Sequence, residues 1–270
     1  MKPIGDFSQA QARNLRYVLM DIDDTLTREG KLHPEPFAAL WALKKAGLYV
    51  IPVTGRPAGW CDCIARQWPV DGVVGENGAL AFWEEPSPGR GAAALSRLRQ
   101  EFHPRAVRND HPVLEKIRQR ALAEIPGLRV AKDQFSRMYD LALDFAEEEP
   151  VLPLSDAVKI RDLAVQEGAQ AKISSIHVNV WMGDYDKLSM AEWFLKRRFG
   201  WNAESESDRV VFVGDSPNDE PMFTRFPLAC AVANIHRYGN LIKHEPAFVA
   251  SYECGAGFAE IANILIEKRS

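Results

Sequence analysis

Two apolar runs constrain this chain more than any other feature. Leu48-Tyr49-Val50-Ile51-Pro52-Val53 and Val210-Val211-Phe212-Val213 carry almost no polar side chain. A strand that wets one face alternates apolar and polar residues. A continuous run needs apolar neighbours on both faces, as an interior strand of a parallel sheet has. Helical patterns follow. Pro34 to Ala46 places Phe37, Leu40, Trp41 and Leu43 at helical spacing, with Gly47 as a C-cap. Pro57 opens the next helix at a favoured first position. With strands at Leu15–Met20 and Gly72–Gly75, the opening reads β-α-β-α-β and predicts a parallel, doubly wound α/β sheet.

The same style returns late. A helix is expected over Asp186–Phe199, another near Asp219–Phe226, and a strand over Leu228–Val232. A terminal amphipathic helix spans Gly257–Lys268, with Phe258, Ile261, Ile264 and Leu265 on one side. The middle reads differently. Pro86-Ser87-Pro88-Gly89-Arg90-Gly91 is a breaker cluster suited to a linker. Helices are expected over Ala92–Phe102, Pro112–Ile125 and Ser155–Gly168. Strands are expected over Leu128–Ala131, Arg137–Phe145, Ala169–Ser174 and Ser175–Trp181, with Gly183 as the return hinge. The expectation is a discontinuous core domain, residues 1–83 plus 184–270, and an inserted α+β cap domain, residues 84–183. A chain of 270 residues accommodates two such units.

Composition excludes several classes. The net charge of −4 gives no basic footprint for nucleic acid or an anionic membrane. Lys196-Arg197-Arg198 sits at a helix end, where cations suit the dipole. No apolar run reaches the roughly 18 residues of a membrane span, and Met1 to Arg16 lacks the apolar stretch of a secretory signal. The four cysteines lack metal-ligand spacing and read as reduced thiols, which points to the cytoplasm. The oligomeric state is not readable.

The chemistry lies where strands end. Asp21 and Asp23 follow the first strand, and Gly214-Asp215-Ser216-Pro217-Asn218-Asp219 follows Val210–Val213. Ligands in open α/β sheets bind at that edge. Taken singly, each could be an acidic turn or a helix cap. Together, on neighbouring strands, they form a crowd of hard oxygen ligands suited to Mg2+. Thr54-Gly55-Arg56 joins a buried strand to a helix, so a hydroxyl, a glycine N–H and a helix start form an anion cradle. Lys187 opens a helix, a poor place for a cation, so a partner is expected to hold it there. Carboxylates, an anion cradle, a metal set and a cation are the parts phosphoryl transfer needs.

Asp21-Ile22-Asp23-Asp24-Thr25-Leu26, Thr54-Gly55-Arg56, Lys187 and Gly214–Asp219 resemble, in order, the four motifs of the haloacid dehalogenase superfamily. The resemblance covers essentially the whole chain. It favours the subclass with a large α/β cap (subclass IIB), which includes sugar-phosphate phosphatases and phosphomannomutases. Glu76-Asn77-Gly78-Ala79 resembles that subclass's loop into the cap. The resemblance implies a Rossmann-like core, Mg2+ and an aspartyl-phosphate intermediate. Asp21 would be the nucleophile and Asp23 the general acid/base. Thr54 would grip the phosphoryl oxygens, with Gly55, Arg56 and Asn77 near the substrate, and Lys187 would neutralise charge. Asp21, Asp215 and the Asp23 carbonyl would hold the metal, supported by Asn218 and Asp219. Asp24 stands where the family usually has glycine. Asp23 must be protonated for the first step, so surroundings favouring that form are expected.

In Ser175–Trp181, Ile176, Val178 and Val180 share one face; Ser175, His177, Asn179 and Trp181 share the other. That polar face is either solvated or lies over the site, where His177 and Asn179 would bind substrate hydroxyls and Trp181 would suit a sugar. Arg137 and Tyr139 are further candidates. The expected function is a Mg2+-dependent phosphatase acting on a small phosphorylated metabolite, a sugar phosphate in the first instance. A phosphomutase and a non-catalytic phosphometabolite sensor are the alternatives.

Overall fold

The computed structural model describes residues 1–86 and 96–270. Its centre is a six-stranded parallel sheet. In spatial order the strands are Lys2–Pro3, Phe248–Val249, Cys230–Ala231, Val210–Gly214, Tyr17–Met20 and Tyr49–Pro52. Tyr17–Met20 lies between the two apolar runs, with Met20 opposite both Val213 and Pro52. The chain leaves Tyr17–Met20 toward one side and later returns on the other. This order reversal is where open α/β sheets form their ligand crevice. Both sheet faces are covered. Val18, Met20, Val50 and Val211 join one apolar cluster, and Leu19, Ile51, Val210 and Phe212 join the other.

The expected helices are present at Pro34–Lys45, Ala58–Gln67 and Lys187–Phe199. The terminal helix is longer than expected, Cys254–Arg269. The third strand departs from the expected pattern. Val73–Gly75 touches the sheet through one parallel bridge, Val53 to Val74, and then pairs antiparallel with Leu80–Pro86. Leu80–Pro86 pairs with Ser96–Phe102, where the sequence predicts a helix. Leu98 packs on the core cluster, and Trp83 on Phe194. Pairing along the preceding strand outweighs local helical propensity there. The strand crosses residue 84, so the change of architecture comes nearer the turn after Phe102. The expected linker at 87–91 and the first residues of that helix lie outside the described residues.

The insert is a four-stranded antiparallel sheet, ordered Gln170–Ile173, His177–Trp181, Asp140–Asp144, Arg129–Val130. Helices Pro112–Glu124 and Leu154–Gln166 cover one face and share with it an apolar cluster of its own. Among the described residues, no helix is long and apolar enough to cross a membrane. The four cysteines are free thiols, three of them buried.

Candidate active site

Strand register assembles the site. Asp21 donates its N–H to the Val213 carbonyl at 2.9 Å, so the Asp21 and Asp215 loops emerge side by side. Asp21, Asp215 and Asp219 are buried and can offer oxygens within 4.8 Å of one another. Lys187 is the first residue of its helix, whose N-cap, Asp186, accepts from the Ser189 N–H. The ammonium is 2% exposed and lies 3.0 Å from Asp21 Oδ2 and 2.8 Å from Asp219 Oδ1. This is the partner that the unfavourable helix-start position requires. Burial works against the charged ammonium, but the two carboxylates outweigh it and raise its pKa. Burial pushes the Asp21 carboxyl up to about 7; Lys187 opposes this, and Asp219 and Asp23 add to it. Asp215 is also raised well above the usual range, by burial and then by Asp219 and Asp21.

Asp219 is anchored as well as charged. Its Oδ2 accepts from the Asp215 N–H at 3.0 Å and from the Ser216 N–H at 3.4 Å. A Cβ on Gly214 would come within 2.3 Å of that oxygen, so glycine is required there. Asn218 is buried beside this loop, and its Oδ1 accepts from Ser216 Oγ at 2.7 Å. Two further residues complete the Asp215 surroundings. Thr25 donates to Oδ1 at 3.1 Å, and Asn234 donates to Oδ2 at 3.2 Å. Asn234 also donates to the Asp24 carbonyl at 3.1 Å. No sequence pattern marked Asn234; its one hint is its position just past a short strand. Asp24 has φ of 55°, a left-handed conformation that glycine adopts freely and aspartate tolerates.

Asp23 meets a different environment from the expected one. Its carboxylate accepts from Arg56 Nε at 3.0 and 2.9 Å and from Arg56 Nη2 at 2.8 Å. One guanidinium thus engages both oxygens of the carboxylate in a bidentate contact. Arg56 also reaches the cap, with Nη1 3.3 Å from Asp133 and Nη2 2.7 Å from Glu147. His177 Nε2 lies 2.9 Å from the other Glu147 oxygen. A chain of charged contacts therefore runs from core to cap.

The polar face of the His177–Trp181 strand is not solvated; all five residues are buried. Asn179 Nδ2 donates to Asp140 Oδ2 at 2.8 Å and to the Gly55 carbonyl at 3.5 Å. Arg137 donates to the same carbonyl at 2.8 Å and pairs with Asp140 at 3.0 Å. Asn77, with φ of 53°, donates to Asp140 at 3.4 Å. The donors of His177 and Asn179, expected to bind substrate hydroxyls, and of Asn77, expected near the substrate, are thus bonded to protein partners. Trp181 is buried, its indole N–H on the Tyr185 carbonyl at 3.1 Å, away from any sugar-stacking position. Thr54 is fully buried, and its Oγ1 accepts from the Arg56 N–H at 3.0 Å.

Glu76, which carries no signal of its own in the sequence beyond its loop, straps cap to core. It accepts from the Ala58 N–H at 2.9 Å and from the cap's Met138 and Tyr139 N–H groups at 2.9 and 2.6 Å. Burial, then Asp140, pushes its pKa up to about 7.

The family model for haloacid dehalogenase-like hydrolases matches residues 18–87. No curated protein matches the chain. Among solved structures, a Thermoplasma acidophilum protein is 19% identical with a TM-score of 0.67, over 93% of this chain and 98% of that one. The sucrose-phosphatase of Synechocystis sp., solved with sucrose and phosphate, is 16% identical with a TM-score of 0.59, over 93% and 98%. A sugar phosphatase of haloacid dehalogenase subclass IIB is 15% identical with a TM-score of 0.54, over 87% and 93%. The chain is thus similar to the haloacid dehalogenase-like hydrolases in sequence over residues 18–87, and it shares the fold of these solved structures along nearly its whole length.

Proposed function

We propose that this protein is a Mg2+-dependent phosphatase that hydrolyses a small phosphorylated metabolite, a sugar phosphate, through an aspartyl-phosphate on Asp21. One observation carries the reading. Lys187 is buried between Asp21 and Asp219, with Asp215 alongside, so one cation faces three carboxylates at the strand switch point. That donor set fits a hard divalent cation, since burying surplus carboxylates without one is costly. Asp21, Asp215 and the Asp23 carbonyl would hold Mg2+, with Asp219 and Asn218, which is bonded to Ser216, supporting that site. Bound Mg2+ would offset the charge of the phosphoryl group and of the carboxylates around it.

The chain's own residues supply the rest. Asp21 Oδ2 attacks phosphorus, and Lys187 reduces the repulsion between carboxylate and phosphate dianion. Thr54 and the amides of its loop hold the phosphoryl oxygens in line. Asp23 gives a proton to the leaving oxygen, then takes one from the water that hydrolyses the aspartyl phosphate. For this, Asp23 must leave the grip of Arg56 seen here, an exchange assigned to substrate entry. The test is phosphate release from a panel of phosphorylated metabolites with Mg2+. Release by the wild type and none by Asp21→Asn supports the reading. Persistent hydrolysis by a pure Asp21→Asn preparation would overturn it. Isomerised phosphate in place of free phosphate would mean a mutase.

A further inference from the structure

All three carbonyls of the Thr54-Gly55-Arg56 loop are held, but not by the same part of the molecule. The Thr54 carbonyl accepts from the Asn77 N–H at 3.1 Å, and the Arg56 carbonyl accepts from the Glu76 N–H at 3.0 Å. Both donors sit on one core turn, with left-handed φ of 44° at Glu76 and 53° at Asn77. The Gly55 carbonyl between them is held from the cap. It accepts from Arg137 Nη1 at 2.8 Å and from Asn179 Nδ2 at 3.5 Å. Both cap side chains are buried, and both also bond Asp140, at 3.0 and 2.8 Å. The packing is close: a Cβ on Gly55 would lie 3.2 Å from Asn77 Nδ2 and 3.4 Å from Asn179 Oδ1.

A trans peptide is planar, and its C=O and N–H point in opposite directions. Holding a carbonyl therefore aims the N–H of the next residue. The Thr54 carbonyl, held by the core, aims the Gly55 N–H, which has no partner among the described residues. The Gly55 carbonyl, held by the cap, aims the Arg56 N–H, and that N–H donates to Thr54 Oγ1 at 3.0 Å. With its oxygen oriented in this way, the Thr54 hydroxyl keeps its proton for another acceptor. The cap thus reaches the Thr54 hydroxyl through one peptide plane, without touching what that hydroxyl would bind.

Resting on the phosphatase reading, we propose that Arg137 and Asn179 are positioning residues for the phosphate grip. Docking of the cap, through the Gly55 carbonyl, sets the Arg56 N–H and the Thr54 hydroxyl for the phosphoryl oxygens. A cap that recognised the leaving group alone would have no influence on the binding of phosphate itself.

The test measures binding of inorganic phosphate by calorimetry, and turnover of p-nitrophenyl phosphate, with the whole protein and Mg2+. Arg137→Gln/Asp140→Asn removes the buried ion pair as a unit, so neither charge is stranded, and Asp133 keeps Arg56. This double variant is expected to weaken phosphate binding about tenfold, and to lower kcat/KM for the aryl ester by about as much. Asn179→Ala removes the longer contact and leaves Asp140 on Arg137, so it is expected to weaken phosphate binding by about threefold. It carries the test should the double variant not melt cooperatively. Leu163→Ala, in the cap's own apolar cluster, is expected to lower the melting temperature and leave phosphate affinity where it was. Unchanged phosphate affinity in the folded cap variants would overturn the proposal. So would an equal loss in Leu163→Ala, which would mean general loosening, or a wild type with no affinity for phosphate. Phosphate binding that weakens as expected in a protein that hydrolyses no phosphate ester would instead overturn the phosphatase reading and leave the positioning role standing.

Discussion

Arg56 grips Asp23 through Nε and Nη2, at 2.8 to 3.0 Å, while the same guanidinium bonds Asp133 and Glu147 of the cap. One core cation is thus shared among one core carboxylate and two cap carboxylates. Removing it leaves three acids facing one another across the seam. Arg56→Gln is expected to destabilise the protein by about 3 kcal/mol, the usual cost of stranding buried charge. Thermal unfolding checks it, and a loss below about 1 kcal/mol would mean the contacts behave as a surface pair.

Asp21→Asn separates activity from stability. Turnover is expected to fall by at least ~10^3-fold, because the proposed nucleophile is gone. The melting temperature without Mg2+ at pH 8 is expected to hold or rise, because one surplus buried negative charge is removed. A clear fall in melting temperature would show that Lys187 needs Asp21 more than the acidic cluster resents it.

The proposed Mg2+ site carries a pH dependence that follows from Asp21. Burial holds its folded pKa at about 7, above the ordinary 3.8. The folded state therefore keeps this proton where the unfolded chain has lost it. Stability from this group is fully present below the unfolded pKa and is lost as pH rises through 7. Mg2+ must displace the proton below pH 7, so its affinity should climb with pH, by up to about tenfold per unit, and level off above. Melting temperatures with and without Mg2+ at pH 5.5 and 8 check this. The Mg2+-induced rise should be larger at pH 8.

Asn234 holds both Asp215 Oδ2 and the Asp24 carbonyl, so it orients a carboxylate proposed to hold the metal. Asn234→Ala is expected to weaken Mg2+ binding by about 10–100-fold, the usual effect of losing an orienting partner. Titrating activity with Mg2+ measures it, and saturating metal should recover most of kcat. An unchanged midpoint would confine Asn234 to loop packing.

Much of the site could be read from residue order. Asp21, Thr54, Lys187 and Asp215 each sit where an apolar strand ends or a helix begins, and those boundaries carry strong local signals. Lys187 was legible because a cation at a helix start conflicts with the dipole. Asn234 was not, because a lone asparagine after a two-residue strand has no local signature. Glu147 was hidden in Glu147-Glu148-Glu149, which reads as a solvated acidic run. The helix expected over Ala92–Phe102 failed over its described part because Ser96–Phe102 pairs along Leu80–Pro86, an interaction between segments that helical spacing does not encode.

The amino-acid sequence by itself determined the parallel core, the inserted α+β unit and the four loops that carry the chemistry. Continuous apolar runs can be buried in few ways, and turn residues fix where they stop. Only the tertiary structure decided what those loops face. It put Asp23 on Arg56, and it closed the polar cap strand onto Gly55 rather than onto solvent. Those contacts join residues far apart in sequence, 33 positions for Asp23 and Arg56 and 124 for Gly55 and Asn179. No local pattern specifies them, because they arise only once separate loops, and the cap, are brought together by the fold.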